Sequence, residues 1–311
     1  MNFAVLDVDR RPEVMAILRL LNEWGTVRYF SPDEEEAFIA WLPEVDVLLI
    51  RLYKVDETLL LKGRKLKAVI KAGVGVDHID VEAATKMGIK VIISPGNHIS
   101  VAESAVLLML ALSRHLITLN KNVHAAEHMH ALGTEMYGKI LGLVGFGRIG
   151  RHVARIAKGL GMKINVYDPY IDSSKINEIG ITCIDFKNML KYSDYISIHC
   201  PLTAGTRHLF STEAFKLMKP SAFIINTARG AIIDEVALYQ ALKNCEIAGA
   251  GLDVFEQEPL QADNPLLELD NVIATPHRLI QTKESIMRQT QSMVDSAILL
   301  ARGEPAPNAI N

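Results

Sequence analysis

Residues 141–150 read Leu-Gly-Leu-Val-Gly-Phe-Gly-Arg-Ile-Gly, and the fold is decided here. Leu141, Leu143 and Val144 predict a short strand buried on both faces. Gly145, Gly147 and Gly150 follow with G-x-G-x-x-G spacing. In that pattern the first glycine permits the tight turn, the second lets a pyrophosphate approach the backbone, and the third lets a helix pack on the sheet. The helix is expected to begin near Arg148 and Ile149, with its free N–H groups and positive dipole end towards an anion. A glycine triplet alone is equally compatible with a mere turn. Here a strand precedes it, a helix pattern follows over residues 151–160, and a second apolar strand, 164–167, ends at Asp168. That acid stands near the offset where a carboxylate takes the ribose hydroxyls of a dinucleotide. No arginine follows closely in Asp168-Pro169-Tyr170, so NAD is expected in preference to NADP.

The rest of the chain agrees with this centre. Its 311 residues allow two domains, and an apolar fraction of 49% allows sizeable cores. A net charge of −3 gives no argument for nucleic acid. The three cysteines, Cys183, Cys200 and Cys245, are odd in number and widely spaced, which fits a reducing compartment. Asp7, Asp9, Arg10 and Arg11 argue against a signal peptide, and no uncharged apolar run reaches membrane-spanning length. A cytoplasmic protein with no membrane partner is therefore expected.

Strands and helices alternate along the whole length, which predicts parallel sheets covered by helices. Strands are expected at 3–8, 27–30, 46–50, 68–72 and 90–93, with helices at 12–24 and 81–87 among them. Residues 99–131 have helical character throughout, with Ala105, Leu108, Met109 and Leu112 as one apolar stripe. Such a helix is expected to connect two domains or to embrace a partner subunit. Further strands are expected at 195–199, 223–226, 248–254 and 272–274, a helix at 234–243, and a last helix at 283–301 that returns to the N-terminal set. The expected architecture is α/β with two doubly wound domains: a Rossmann NAD-binding domain, residues 99–283, inserted into a flavodoxin-like substrate domain, residues 1–98 and 284–311.

Three segments fall at carboxyl ends of expected strands, where open α/β sheets bind ligands. They are Asn226-Thr227-Ala228-Arg229-Gly230, Gly251-Leu252-Asp253-Val254-Phe255-Glu256-Gln257-Glu258-Pro259 and Ala274-Thr275-Pro276-His277. Singly, Arg229 reads as a surface cation, Glu258 as a loop acid and His277 as a capped histidine. Together, beside a dinucleotide loop, they point to one reaction centre.

With Lys71-Ala72-Gly73-Val74-Gly75-Val76-Asp77, Ser100-Val101-Ala102-Glu103, Gly133-Thr134-Glu135 and His199-Cys200-Pro201-Leu202-Thr203, these segments make nearly the whole chain resemble the D-isomer-specific 2-hydroxyacid dehydrogenases. Within that family the likeness is greatest to phosphoglycerate dehydrogenases, in a short form without the C-terminal regulatory domain. The resemblance implies an NAD-dependent enzyme acting on a small 2-hydroxy or 2-oxo acid, with 3-phosphoglycerate favoured and a place in serine biosynthesis. It implies that Arg229 clamps the substrate carboxylate, that His277 is the acid–base group and that Glu258 fixes the imidazole tautomer. It also implies that Asp253 lies near the nicotinamide, that Cys200, Thr227 and Ala228 line the cofactor, and that Val74 and Gly75 receive the substrate carboxylate. Cys200 reads equally as an ordinary buried thiol. A homodimer is implied by the family and by the long helix.

Three departures bear on substrate. Arg278-Leu279-Ile280 follows His277 where the family usually has small residues, and Arg278 either grips an anionic substrate or faces solvent. Arg51-Leu52-Tyr53-Lys54 lacks the hydroxyl residues usual after the arginine, although Arg51 and Lys54 still suit a phosphate. The segment before Gly133 is shortened and lacks the usual tryptophan. A glyoxylate or hydroxypyruvate reductase is the alternative enzyme, and an NAD-sensing scaffold like the C-terminal-binding corepressors is the non-enzymatic one. His124-Ala125-Ala126-Glu127-His128 matches a zinc-peptidase H-x-x-E-H pattern, but it lies far in sequence from the other segments and has no evident third ligand. No metal is expected.

Overall fold

A computed structural model describes residues 1–127, 131–172 and 180–311. They divide into two compact units, Met1–Asn97 with Gln281–Asn311, and His98–Ile280.

The first unit runs β1 (Asn2–Leu6), α1 (Pro12–Leu18), β2 (Thr26–Phe30), α2 (Glu35–Trp41), β3 (Val47–Ile50), α3 (Glu57–Lys62), β4 (Ala68–Ala72), α4 (Val81–Lys86) and β5 (Lys90–Ser94). The sheet order is β2-β1-β3-β4-β5, every pair parallel, with Ala4 opposite Leu48 and Leu48 opposite Val69. This is the flavodoxin-like order. Successive side chains of β3 serve opposite faces: Leu48 and Ile50 pack with Phe38 and Leu42, while Val47 and Leu49 pack with Leu18 and Leu21. The helix expected over 12–24 ends early, its second half being a 3-10 segment, Arg19–Glu23. β1 stops at Leu6 because Asp7 turns to φ 50° and accepts the Leu52 N–H.

The second unit runs α5 (His98–Ser113), α6 (Leu116–His124), β6 (Ile140–Val144), α7 (Arg148–Gly159), β7 (Lys163–Tyr167), β8 (Thr182–Cys183), α8 (Phe186–Tyr192), β9 (Tyr195–Ile198), α9 (Thr212–Phe215), β10 (Phe223–Asn226), α10 (Glu235–Lys243), β11 (Gly249–Leu252) and β12 (Val272–Ala274). Its parallel sheet has the order β12-β11-β10-β9-β6-β7-β8. The direction of winding reverses between β6 and β9, so a crevice opens at their carboxyl ends, as in Rossmann folds. Ile224 of β10 packs with Phe210, Phe215 and Leu238 on one face, and Phe223 and Ile225 pack with Leu108, Leu112 and Val153 on the other.

The expected helix over 99–131 is corrected. It breaks after Ser113, where His115 adopts a left-handed φ of 50°, and α6 departs at 61°. The stripe Ala105, Leu108, Met109 and Leu112 is fully buried in the core of its own unit. α5 is thus a core helix, and α6, with no buried residue, is the surface piece. Among the described residues no single helix is long and apolar enough to cross a membrane. The last helix, α11 (Lys283–Ala301), starts on a reciprocal capping box between Thr282 and Ser285. Its Met293, Val294 and Ala297 pack with Phe3, Val5 and Val14 in the first unit.

Candidate active site

The glycine loop joins β6 to α7. Gly145 has φ +94°, and a Cβ there would lie 2.8 Å from the Cys200 amide nitrogen and the His199 carbonyl carbon. The turn therefore nests against the end of β9. A Cβ on Gly150 would lie 2.4 Å from the Gly145 carbonyl oxygen, so α7 rests directly on the loop. At Gly147, the N-cap of α7, a Cβ would meet nothing within 4 Å. Arg148 and Ile149 form the first helical turn beside that open space. Asp168, just past β7, accepts from the Phe146 N–H at 2.9 Å and the Tyr170 N–H at 3.0 Å, which holds its carboxylate against the loop.

Arg229, Glu258 and His277 come from the loops after β10, β11 and β12, all in the second unit. Asn226 is buried and secures the first loop: its Oδ1 accepts from the Ala228 N–H at 3.0 Å, and its Nδ2 donates to the Arg229 carbonyl at 2.9 Å. The Arg229 Nη1 donates to the Ala228 carbonyl at 2.6 Å. Glu258 Oε1 accepts from the Phe255 N–H at 3.0 Å, and Oε2 takes the His277 Nδ1 at 2.7 Å. Burial acts to raise the Glu258 carboxyl. The His277 and Phe255 hydrogen bonds, and the charges of His277 and Arg229, outweigh it and hold the group below its ordinary value. Arg229 is the smallest of these influences on Glu258, after its direct partners His277 and Phe255. His277 itself is at φ +53°, a left-handed conformation held at the strand end by its N–H bond to the Thr275 carbonyl at 3.0 Å.

Asp253 is fully buried behind this cluster. Its Oδ1 accepts from Thr275 Oγ1 at 2.7 Å, the Arg278 N–H at 3.1 Å and the Leu279 N–H at 3.2 Å. Arg278 is thereby fixed by its backbone next to His277, with an exposed side chain. Among the described residues, neither Asp253 Oδ2 nor the buried Thr227 Oγ1 has a hydrogen-bonding partner. Burial, only partly opposed by these hydrogen bonds and the His277 charge, raises the Asp253 carboxyl. An orphaned buried polar atom costs about 1–3 kcal/mol, which a bound amide would relieve. The open space at Gly147, the carboxylate of Asp168 and these two orphaned oxygens fit a dinucleotide lying along the strand ends.

His199 and Cys200 follow β9. Burial pushes His199 down to about 3, so the ring is neutral, with Nε2 2.8 Å from Ser197 Oγ. Burial, with a smaller contribution from Asp168, holds the Cys200 thiol up at about 11. The sequence assigns no individual role to Asn226 or His199, although both lie in the quoted segments, and none to Ser197. Their signal was the position of each at or near a strand end, although a buried polar side chain there is indistinguishable from an exposed one in sequence. Arg51, Val74 and Gly75 belong to the first unit: Arg51 follows β3, and Val74 and Gly75 follow β4. Of the zinc-like motif, His124 ends α6 and His128 lies outside the described residues.

Residues 106–278 match the NAD binding domain of the D-isomer specific 2-hydroxyacid dehydrogenases. The chain belongs to this family. It is 43% identical over 281 residues to the D-3-phosphoglycerate dehydrogenase of Synechocystis sp., covering 89% of this chain and 50% of that protein. It is 39% identical over 289 residues to the glyoxylate reductase of Korarchaeum cryptofilum, covering 90% and 87%. It superposes on D-lactate dehydrogenase of Aquifex aeolicus, solved with NAD and lactic acid, with a TM-score of 0.84 and 31% identity over 97% and 96% of the two chains. The chain spans about half the length of the phosphoglycerate dehydrogenases it matches. Family membership accounts for both sheet orders and for the glycine loop between β6 and α7.

Proposed function

We propose that this D-2-hydroxyacid dehydrogenase family member transfers hydride between NAD and a D-2-hydroxy acid, with 3-phosphoglycerate the favoured substrate. The observation that carries the reading is the 2.7 Å bond between Glu258 Oε2 and His277 Nδ1, within the field of Arg229. Arg229 presents a planar donor fork that suits the carboxylate and the ketone oxygen of a 2-oxo acid. Glu258 occupies Nδ1, which leaves Nε2 of His277 to deliver a proton to that oxygen, or to remove it in the reverse direction. NAD, when bound, supplies the hydride acceptor, and NADH the donor. Gly145, Gly147, Arg148, Ile149 and Gly150 would hold the pyrophosphate, and Asp168 the adenosine ribose. Asp253 and Thr227 would meet the nicotinamide amide, with Cys200 and Ala228 as apolar lining.

In this reading residues 98–280 form the cofactor domain. The remainder carries the substrate-side residues Arg51, Val74 and Gly75. A homodimer is supported by the exposed apolar side chains of Leu107, Leu110, Leu116, Ile117 and Val123 along α5 and α6. A reducing, cytoplasmic setting is supported by free Cys183, Cys200 and Cys245.

The test is NADH oxidation with glyoxylate, pyruvate, hydroxypyruvate and 3-phosphohydroxypyruvate. The phosphorylated acid is expected to lead in kcat/KM by about tenfold or more, the worth of one charge-assisted hydrogen bond. A lead for glyoxylate or hydroxypyruvate would replace the substrate, and no turnover with any of the four would overturn the dehydrogenase reading.

A further inference from the structure

Glu258 rides on a loop between β11 and β12, residues 253–271. A second glutamate pinches this loop on both sides of Glu258. Glu235, the first residue of α10, accepts from the Glu256 N–H at Oε1 and from Asn264 Nδ2 at Oε2, the latter at 3.2 Å. Glu256 returns the bond: its Oε1 accepts from the Glu235 N–H at 3.1 Å, and its Oε2 accepts from His208 Nε2 at 3.2 Å.

The neighbouring loop is pressed against the same backbone. A Cβ on Gly230 would lie 1.9 Å from the Phe255 carbonyl carbon and 2.4 Å from the Glu256 nitrogen. The residue after Arg229 therefore touches the peptide that Glu235 holds. That peptide continues to the Phe255 N–H, which orients Glu258 Oε1, and Glu258 Oε2 in turn holds His277. Glu235 is superfluous as a helix cap, since Asp234 already accepts from the Ala237 N–H at 3.0 Å. Both carboxylates lie at the positive end of α10 and accept amide donors there.

We propose that Glu235 is a positioning residue for the reaction: by closing the base of the loop it sets the distance from Glu258 to His277. The inference rests on the reading of Glu258 and His277 given above. Displacing a reacting group by about an ångström costs up to about 100-fold in rate, so losing one of several ties should cost about tenfold. Glu235→Ala is expected to lower kcat by about tenfold, with KM and the NADH dissociation constant within about twofold. Glu235→Gln keeps an acceptor for the Glu256 N–H and is expected to recover to within about threefold of the parent. Asn264→Ala, which removes only the far tie, should give a smaller drop of the same kind. Glu213→Ala, on α9, serves as the unaffected control.

A readout without turnover separates this inference from the reaction itself. The His277 ring is titrated by NMR in the parent, Glu235→Ala and Glu258→Gln proteins. The Glu235→Ala midpoint is expected to move part of the way towards that of Glu258→Gln. A midpoint coincident with the parent, or a kcat within twofold of it, would overturn the proposal. So would equal losses in Glu235→Ala and Glu235→Gln. If the parent reduces no 2-oxo acid, the dehydrogenase reading fails while the His277 titration still decides the role of Glu235.

Discussion

His277, the proposed acid–base group, has an unusual backbone. A left-handed non-glycine residue costs about 1–3 kcal/mol and persists only where its surroundings hold it. Here the Thr275 carbonyl and the amides bound to Asp253 on the following residues do so. Asparagine tolerates this conformation better than most residues. His277→Asn is therefore expected to keep the melting temperature and NADH affinity while kcat falls by about 10²–10⁴, the range for loss of a general acid–base group. A variant with half the parent turnover would refute the assignment. Glu258 gives a second residue-level expectation, with a definite sign. Its folded-state carboxyl lies below its ordinary value, so its stabilisation is present above the unfolded-state value and is lost as pH falls through the folded one. Acid unfolding scans should thus show the parent losing stability relative to Glu258→Gln below about pH 4.3. Parallel curves would show that the His277 pair does not stabilise the fold.

At the scale of elements, the glycines around β6 and α7 separate function from folding. Gly147→Ala places a methyl in open space, so it should leave the melting temperature unchanged and weaken NADH binding by about tenfold or more. Gly150→Ala drives the same methyl into the Gly145 carbonyl and should lower stability by about 1–3 kcal/mol, read by urea titration. Comparable effects on NADH affinity without any loss of stability at Gly150 would contradict this contrast. The same elements show what sequence conveys. The loop, the strands and the acid at Asp168 were legible because each rests on local pattern: apolar runs, glycine spacing and strand ends. The break at His115 was not, because no glycine or proline marks it and the apolar pattern runs on past it. The ties among His208, Glu235 and Glu256 were illegible for a different reason. They join two loops and the start of α10, distant in sequence, which only the sheet order brings together.

At the scale of the whole molecule, light scattering and thiol labelling are the informative measurements. Light scattering is expected to give twice the chain mass for the parent, and Leu116→Glu with Ile117→Glu should shift the protein towards the monomer. An unchanged mass would move the interface elsewhere or remove it. The three cysteines differ in a way that is useful for such experiments. Burial raises the Cys183 and Cys200 thiols and so disfavours their reactive thiolates, and both are partly shielded, whereas Cys245 stands exposed just before β11. A maleimide fluorophore should consequently attach at Cys245 first, at the opposite end of β11 from Asp253. The unaltered polypeptide thus carries its own reporter position, from which ligand arrival can be followed by fluorescence without removing any native sulfur.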